Sequence, residues 1–281
     1  MEFEGKHAQV CDRTIYYYQQ GEHGSPVILL HGGGTDSALL SWRFAIPALA
    51  AEHRVFAPDW PGYGKSDSID DPYTMNKIVD VLDGLITHWG LERASLVGLS
   101  MGGGAAIAYA LAHPDRVDRL ILADTYGIQR KAPSHFVSYL YIKFPIIVRL
   151  TWNAIRRDKA MVRSAVRAIF ADQNNLDDSL VDEIFEAVQD RKAETSFYSF
   201  QKHEMTLRGL RTNFVSRLPE VTSPTRFIHG DTDKLVPVEE IRQVVNTMPD
   251  GRLEVMENTG HWPPREHPDQ FNQLVLEFLR S

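Results

Sequence analysis

Leu96-Val97-Gly98-Leu99-Ser100-Met101-Gly102-Gly103-Gly104 is the stretch on which the reading of the fold turns. It begins apolar, as a buried strand does. It then passes through Gly-x-Ser-x-Gly and runs into Ala105-Ala106-Ile107-Ala108-Tyr109-Ala110, which has helical composition. A strand that turns sharply into a helix on a serine leaves the hydroxyl at an exposed, strained corner, with a helix N-terminus behind it. Glycine is required at 98 and 102 because a side chain at either would collide across so tight a turn. Chance supplies the bare pattern about 0.1 times in a chain of this length, so its weight comes from the elements around it.

On the N-terminal side, residues 7–19 alternate around Asp12-Arg13 and predict a hairpin. Pro26 opens Val27-Ile28-Leu29-Leu30, a continuous apolar run that predicts a strand buried on both faces. That run ends in His31-Gly32-Gly33-Gly34. A helix is predicted over 42–51, a second buried strand over 55–57, and a turn-rich loop from Pro58 to Ser66. Ile78, Leu82, Leu85, Ile86 and Trp89 recur at helical period across 74–89. Beyond Ser100 the helix stops near His113-Pro114, and a strand follows over 117–123.

This alternation predicts an α/β fold, a mostly parallel sheet with helices on both faces. After Asp124 the pattern changes. Residues 128–212 show no strand signal and carry helical stretches at 134–142, 145–157, 159–171, 178–189 and 194–208. The segment is too long for a crossover, so it predicts a helical cap inserted into a core made of 1–127 and 213–281. A strand at 225–229, a helix at 238–247, a strand at 252–256 and a helix at 268–280 complete that core.

The 281 residues are 43% hydrophobic and 24% charged, enough for a large core with one insertion. A net charge of −7 argues against nucleic-acid binding. Cys11, the single cysteine, can form no internal disulfide. The N-terminal residues hold no apolar signal segment, and no uncharged apolar run reaches the ~18 residues that span a bilayer. The expectation is a cytoplasmic protein with no stable membrane insertion, acting on a small molecule, with a homodimer left open.

A serine hydroxyl needs a general base within hydrogen-bond reach, and the base needs an orienting acid. On a parallel sheet these groups come from loops at the carboxyl ends of strands. Two loops qualify: Gly230-Asp231-Thr232-Asp233-Lys234-Leu235-Val236-Pro237 and Asn258-Thr259-Gly260-His261-Trp262-Pro263. Asp231 and Asp233 compete as acid. His261 competes with His267, which precedes Pro268 and reads as a helix cap. His31 and His229, at strand ends, read as structural. No His/Cys/Asp group stands at metal-ligand spacing, so no metal or cofactor is expected.

With the His31–Gly34 loop, the Asp59–Ser66 loop, the Ser100 turn, Gly-x-x-Asp at 230–233 and Gly260-His261 in this order, the chain resembles an α/β-hydrolase fold enzyme over nearly its full length outside the cap. The resemblance implies an eight-stranded sheet. It also implies Ser100 as nucleophile, Asp233 as acid and His261 as base, with an oxyanion hole from Met101 and a donor from Gly33 or Gly34. Serine at 100 argues against dehalogenase and epoxide hydrolase chemistry.

The glycine-rich loop, Ser-Met-Gly-Gly, His261-Trp262-Pro263 and Glu266-His267 also resemble meta-cleavage product hydrolases. That group has asparagine before the nucleophile, where this chain has Leu99, and uses a cap arginine that has no clear counterpart here. The expected reaction is therefore hydrolysis of carboxylic esters, thioesters or lactones through an acyl-enzyme. Carbon–carbon bond hydrolysis is the alternative, and a ligand-sensing relative with slow turnover is the second. In the cap, Arg149, Arg156, Arg163 and Arg167 read as a solvated face, against a reading that steers anions. The apolar stretch 136–150 reads as packing against the core, against a membrane-facing lip.

Overall fold

The computed structural model describes residues 3–171 and 176–281. The first half holds β1 (Gly5–Val10), β2 (Arg13–Gln20), β3 (Pro26–Leu30), α1 (Ala38–Trp42), α2 (Ala45–Leu49), β4 (Arg54–Pro58), α3 (Met75–His88), β5 (Ala94–Leu99), α4 (Met101–Ala112) and β6 (Val117–Ala123). Five helices follow: α5 (His135–Lys143), α6 (Pro145–Arg157), α7 (Lys159–Arg167), α8 (Asp178–Ala187) and α9 (Arg191–Glu204). The chain continues through β7 (Met205–Thr206), β8 (Gly209–Leu210), β9 (Thr225–Gly230), α10 (Val238–Val244), β10 (Gly251–Met256), α11 (Pro263–Glu266) and α12 (Pro268–Arg280).

Eight strands form one sheet in the order β1-β2-β4-β3-β5-β6-β9-β10. β1 pairs antiparallel with β2 and β2 with β4. All other neighbours are parallel. Strand side chains alternate between faces, and here the alternation feeds two separate cores. Ile28, Leu30, Leu96 and Leu122 pack with Ile78, Leu82 and Leu85 of α3. Val27, Leu29, Val97 and Ile121 pack with Trp42 of α1, Leu49 of α2, and Phe271 and Val275 of α12. The continuous apolar runs of β3 and β5 follow from this, because both faces of each strand are covered. α3 begins where the Thr74 side chain accepts the Lys77 N–H at 3.3 Å, and its apolar period faces the first core.

Three local expectations are corrected. The helix over 42–51 is two short ones, α1 and α2, broken at Arg43-Phe44. The helix over 194–208 stops at Glu204, and Met205-Thr206 pairs with Gly209-Leu210 in a small hairpin. Leu207-Arg208 make the return, and the Thr206 hydroxyl donates to the Gly209 carbonyl at 2.8 Å. Two-residue strands leave no periodic signal. The stretch 136–150 does not pack against the core: Phe136, Val137, Phe144, Ile146 and Leu150 are exposed, while Ile142 and Val148 are buried. A helix in contact with its neighbours along one stripe leaves its other faces in water however apolar they are. The predicted insertion 128–212 includes 172–175, which lie outside the described residues.

Candidate active site

β5 ends at Leu99 and α4 begins at Met101, so Ser100 is the turn itself. It holds φ +49° and ψ −115°, a strained conformation for a residue with a side chain. Three backbone bonds hold it there. Ser100 N–H donates to Ala123 at 2.9 Å, and its carbonyl accepts from Gly104 and Tyr126, each at 3.0 Å. The glycines are needed as the sequence suggests. A Cβ on Gly98 would lie 2.5 Å from the Gly102 carbonyl oxygen, and one on Gly102 2.1 Å from that of Leu30.

The loops after β9 and β10 converge on this corner. His261 Nε2 is 3.0 Å from Ser100 Oγ, and His261 Nδ1 is 2.7 Å from Asp233 Oδ2. Asp233 Oδ1 accepts the N–H groups of Leu235 at 2.7 Å and Val236 at 3.1 Å. Burial pushes the Asp233 carboxyl up, but the charge of His261 and the hydrogen bonds from His229 and His261 outweigh burial and hold it below the usual carboxylate range. Asp231, the rival acid, instead accepts the Thr259 N–H at 3.1 Å as a turn residue does. His267 stands at the start of α12, but its ring is 3.1 Å from the Asn258 carbonyl and caps no helix N–H.

His31 is buried with Nδ1 2.8 Å from the Gly32 carbonyl and Nε2 2.9 Å from the Trp60 N–H. Trp60 N–H can only donate, so Nε2 accepts and Nδ1 carries the proton. His229 Nε2 is 2.7 Å from the Val236 carbonyl and 3.5 Å from both Asp124 and Asp233. It is structural, but it touches the acid. Asp124 is buried with φ +40°, its Oδ1 accepts from Gly230 N–H at 3.0 Å, and its Oδ2 has no partner. Burial, together with the charge of Asp233, pushes the Asp124 carboxyl up. Asp124, His229 and Asp233 place ligand-type atoms within 4.8 Å of one another, a grouping that sequence spacing could not reveal. His229 Nε2 faces a carbonyl and therefore carries a proton, so the group is a hydrogen-bonded network as it stands.

Several positioning residues carry no sequence signal of their own. Asp36 Oδ2 accepts the Gly32 N–H at 2.7 Å and pins the glycine loop; Ser41 Oγ donates to Asp36 and accepts from Trp262 Nε1 at 3.0 Å. His261 N–H donates to the Ile169 carbonyl at 2.7 Å. Glu266 ties this contact down: Oε1 accepts Gly260 N–H at 2.6 Å and Oε2 accepts Ala171 N–H at 2.8 Å. The loop of His261 is thus bonded to the end of the helical insertion. Only the order of residues after His261 could have hinted at this, because the partners lie far apart in the chain.

Ser100 and His261 open into a cavity of about 490 Å³. Trp152, Val162, Val166, Ile184, Phe197 and Phe200 supply much of its wall, all from α6 to α9. Gly32, Gly33, Gly34 and Met101 line it beside the serine. A Cβ on Gly33 would meet Phe197 at 2.7 Å and Met101 Sδ at 3.5 Å, whereas one on Gly34 would meet nothing within 4 Å. Among the described residues no lysine or arginine lines the cavity. Arg156 of α6 pairs with Glu194 and Arg163 of α7 with Asp178. Among the described residues, no helix is long and apolar enough to cross a membrane.

The family model described as alpha/beta hydrolase fold matches residues 25–268. The chain is 32% identical over 276 residues to a 2-hydroxy-6-oxononadienedioate/2-hydroxy-6-oxononatrienedioate hydrolase of Dechloromonas aromatica, covering 95% of this chain and 91% of the relative. It is 30% identical to a 2-hydroxy-6-oxo-6-phenylhexa-2,4-dienoate hydrolase of Comamonas testosteroni, covering 97% and 93%. A meta-cleavage product hydrolase structure from Pseudomonas fluorescens superposes with a TM-score of 0.83 at 29% identity, covering 98% and 97% of the two chains. These relatives overturn the expectation of ester hydrolysis. That expectation rested on a triad and glycine loop that serve an ester carbonyl and a ketone carbonyl alike, and on Leu99. Leu99 packs into the second core and also lines the cavity, but one apolar side chain there weighs little against similarity along the whole chain.

Proposed function

Because the chain belongs to the alpha/beta hydrolase fold family and is a hydrolase, we propose that it cleaves the carbon–carbon bond of a 2-hydroxy-6-oxo-dienoate. The observation that carries this reading is the Ser100–His261–Asp233 line beneath an apolar cavity, in a chain similar end to end to hydrolases of such dienoates. Ser100 is the nucleophile, His261 the base and Asp233 the group that orients the base. Met101 and Gly33 supply the oxyanion donors, Gly33 being favoured over Gly34 by its place between Met101 and Phe197. Residues 128–212 act as a cap that walls the substrate in.

The chemistry follows from the substrate's conjugation. His261 moves the proton of the 2-hydroxyl to C5, which turns the dienol into a conjugated ketone. Ser100 Oγ then adds to C6, its proton passing to His261, and the new oxyanion meets the Met101 and Gly33 N–H groups. The C5–C6 bond breaks and its electron pair spreads through to the oxygen at C2. That oxygen takes the proton from His261 and leaves as a 2-hydroxy-dienoate. Water, deprotonated by His261, cuts the acyl group from Ser100 and restores the hydroxyl. One water is consumed and two acids result.

The test is the loss of the dienoate's visible or near-ultraviolet absorbance. The wild-type protein bleaches a 6-phenyl dienoate, and Ser100→Ala lowers kcat by ~10³-fold or more. Failure of the wild-type protein to cleave any dienoate, with Ser100 still reactive toward a fluorophosphonate, would overturn the reading.

A further inference from the structure

Glu204 closes α9, lines the cavity and is only 2% exposed. Its Oε2 accepts both the Tyr126 hydroxyl and the Thr212 N–H at 2.8 Å. Among the described residues its Oε1 takes no hydrogen bond and no cation pairs with it. The Tyr126 N–H donates to the Ser100 carbonyl, so Glu204 stands one tyrosine length from the backbone of the nucleophile. Asn213, next to Thr212, donates to the Ile128 carbonyl at 2.9 Å and to the Gln129 carbonyl at 3.3 Å, which sets Gln129 on the same wall. The Gln129 side-chain Oε1 is buried without a partner. Most of the remaining lining is apolar, with Thr35, Asp36, Gln201, Ser100 and His261 as its other polar side chains, and on this wall the Glu204 Oε1 and Gln129 Oε1 acceptors have no protein donor among the described residues. The Gln129 Oε1 acceptor, being buried, is costly until something donates to it, and Glu204 Oε1 beside it is a charge-type acceptor open to the same donor.

We infer that Glu204 and Gln129 form a donor-reading subsite for the substrate group attached to C6. That group carries an amino or hydroxyl hydrogen, and a second carboxylate there is rejected. The inference rests on the dienoate reading above. The C1 carboxylate of a dienoate is repelled by Glu204, so the dienoate end lies away from this wall and the C6 substituent faces it. A site built to pair with a donor discriminates strongly against an analogue that lacks one. A second carboxylate set against Glu204 is a like-charge contact in a largely apolar site, which disfavours it at this wall.

The experiment compares kcat/KM for four dienoates whose C6 group is phenyl, 2-aminophenyl, 2-hydroxyphenyl or a carboxyethyl chain. The expected order puts the amino or hydroxy compound at least ~10-fold above phenyl, and the carboxyethyl compound last. The two donor compounds distinguish amine from hydroxyl. Glu204→Gln, which keeps an acceptor for Tyr126, narrows the donor-to-phenyl ratio to within about twofold. Equal turnover of the carboxyethyl and donor substrates, or a donor preference that survives Glu204→Gln, overturns the inference. Should no dienoate be cleaved, the functional reading falls, and the subsite is judged by the binding of aniline, phenol and benzoate, followed by tryptophan fluorescence. Aniline or phenol bound at least ~10-fold more weakly by Glu204→Gln supports the subsite, and benzoate bound as tightly as either one overturns it.

Discussion

His31 ends β3 with both ring nitrogens engaged, and that arrangement requires a neutral ring. Burial pushes its pKa down to about 3. The sign of the stability effect follows from where the proton goes. In the unfolded chain the imidazole titrates near ~6.5. Below that pH the unfolded state takes up a proton that the folded ring refuses, so folding stability falls as pH drops from about 6.5 toward 3. The contribution lost across that window is on the order of a few kcal/mol. Asp36, pushed up to about 7 by burial, gives a slope of opposite sign, so the variant comparison carries the test. Urea midpoints measured at pH 7, 5 and 4 should decline less steeply for His31→Gln than for the wild-type protein, although the variant starts lower. Parallel curves would show that His31 protonation is not what acid acts on.

Elements far apart in sequence meet through a few buried polar groups. Glu183 of α8 ion-pairs with Arg43 and, at 3.2 Å, with Arg265 of α11. Arg265 also donates to the Leu40 carbonyl at 2.8 Å, and burial pushes its pKa down to about 10. This joint fastens the inserted helices to the core next to the His261 loop. Removing one partner of a buried pair leaves an uncompensated charge, which costs about 3–5 kcal/mol when burial is complete. The Glu183 side chain is 27% exposed, so solvent reduces the expected loss for Glu183→Ala to about 1–3 kcal/mol in chemical denaturation. Pairing it with Arg265→Met should recover part of that loss, because the orphaned guanidinium is then gone. Additive losses in the double variant would refute the coupling.

The same scale explains what could be read in advance. The buried strands were legible because both of their faces are apolar, and the turn at Ser100 because only glycine fits at 98 and 102. Asp233 and His261 were legible as residues in loops after strands. Asp36, Asp124, Glu183 and Glu204 were not. Each is an acidic residue in an ordinary polar context, and its role is set by a partner that only the fold brings near. The two-residue strands β7 and β8 were illegible because they are too short to show a period.

For the whole molecule, charge decides how an anionic substrate arrives. The chain carries 37 acidic against 30 basic residues, and the insertion's Arg156 and Arg163 are already paired with carboxylates. The cavity lining adds Asp36 and Glu204 and, among the described residues, no lysine or arginine. A dienoate anion therefore approaches against a weak net repulsion instead of being drawn in. Screening acts over a Debye length that shrinks from ~30 Å at 0.01 M to ~8 Å at 0.15 M salt. Raising sodium chloride between those limits should therefore raise kcat/KM for a dienoate by up to about twofold, with kcat unchanged. Stopped-flow bleaching at low substrate measures this directly. A severalfold fall in kcat/KM would mean that exposed arginines such as Arg149 guide the substrate after all, and the helices over the cavity would then be an electrostatic funnel as well as a wall.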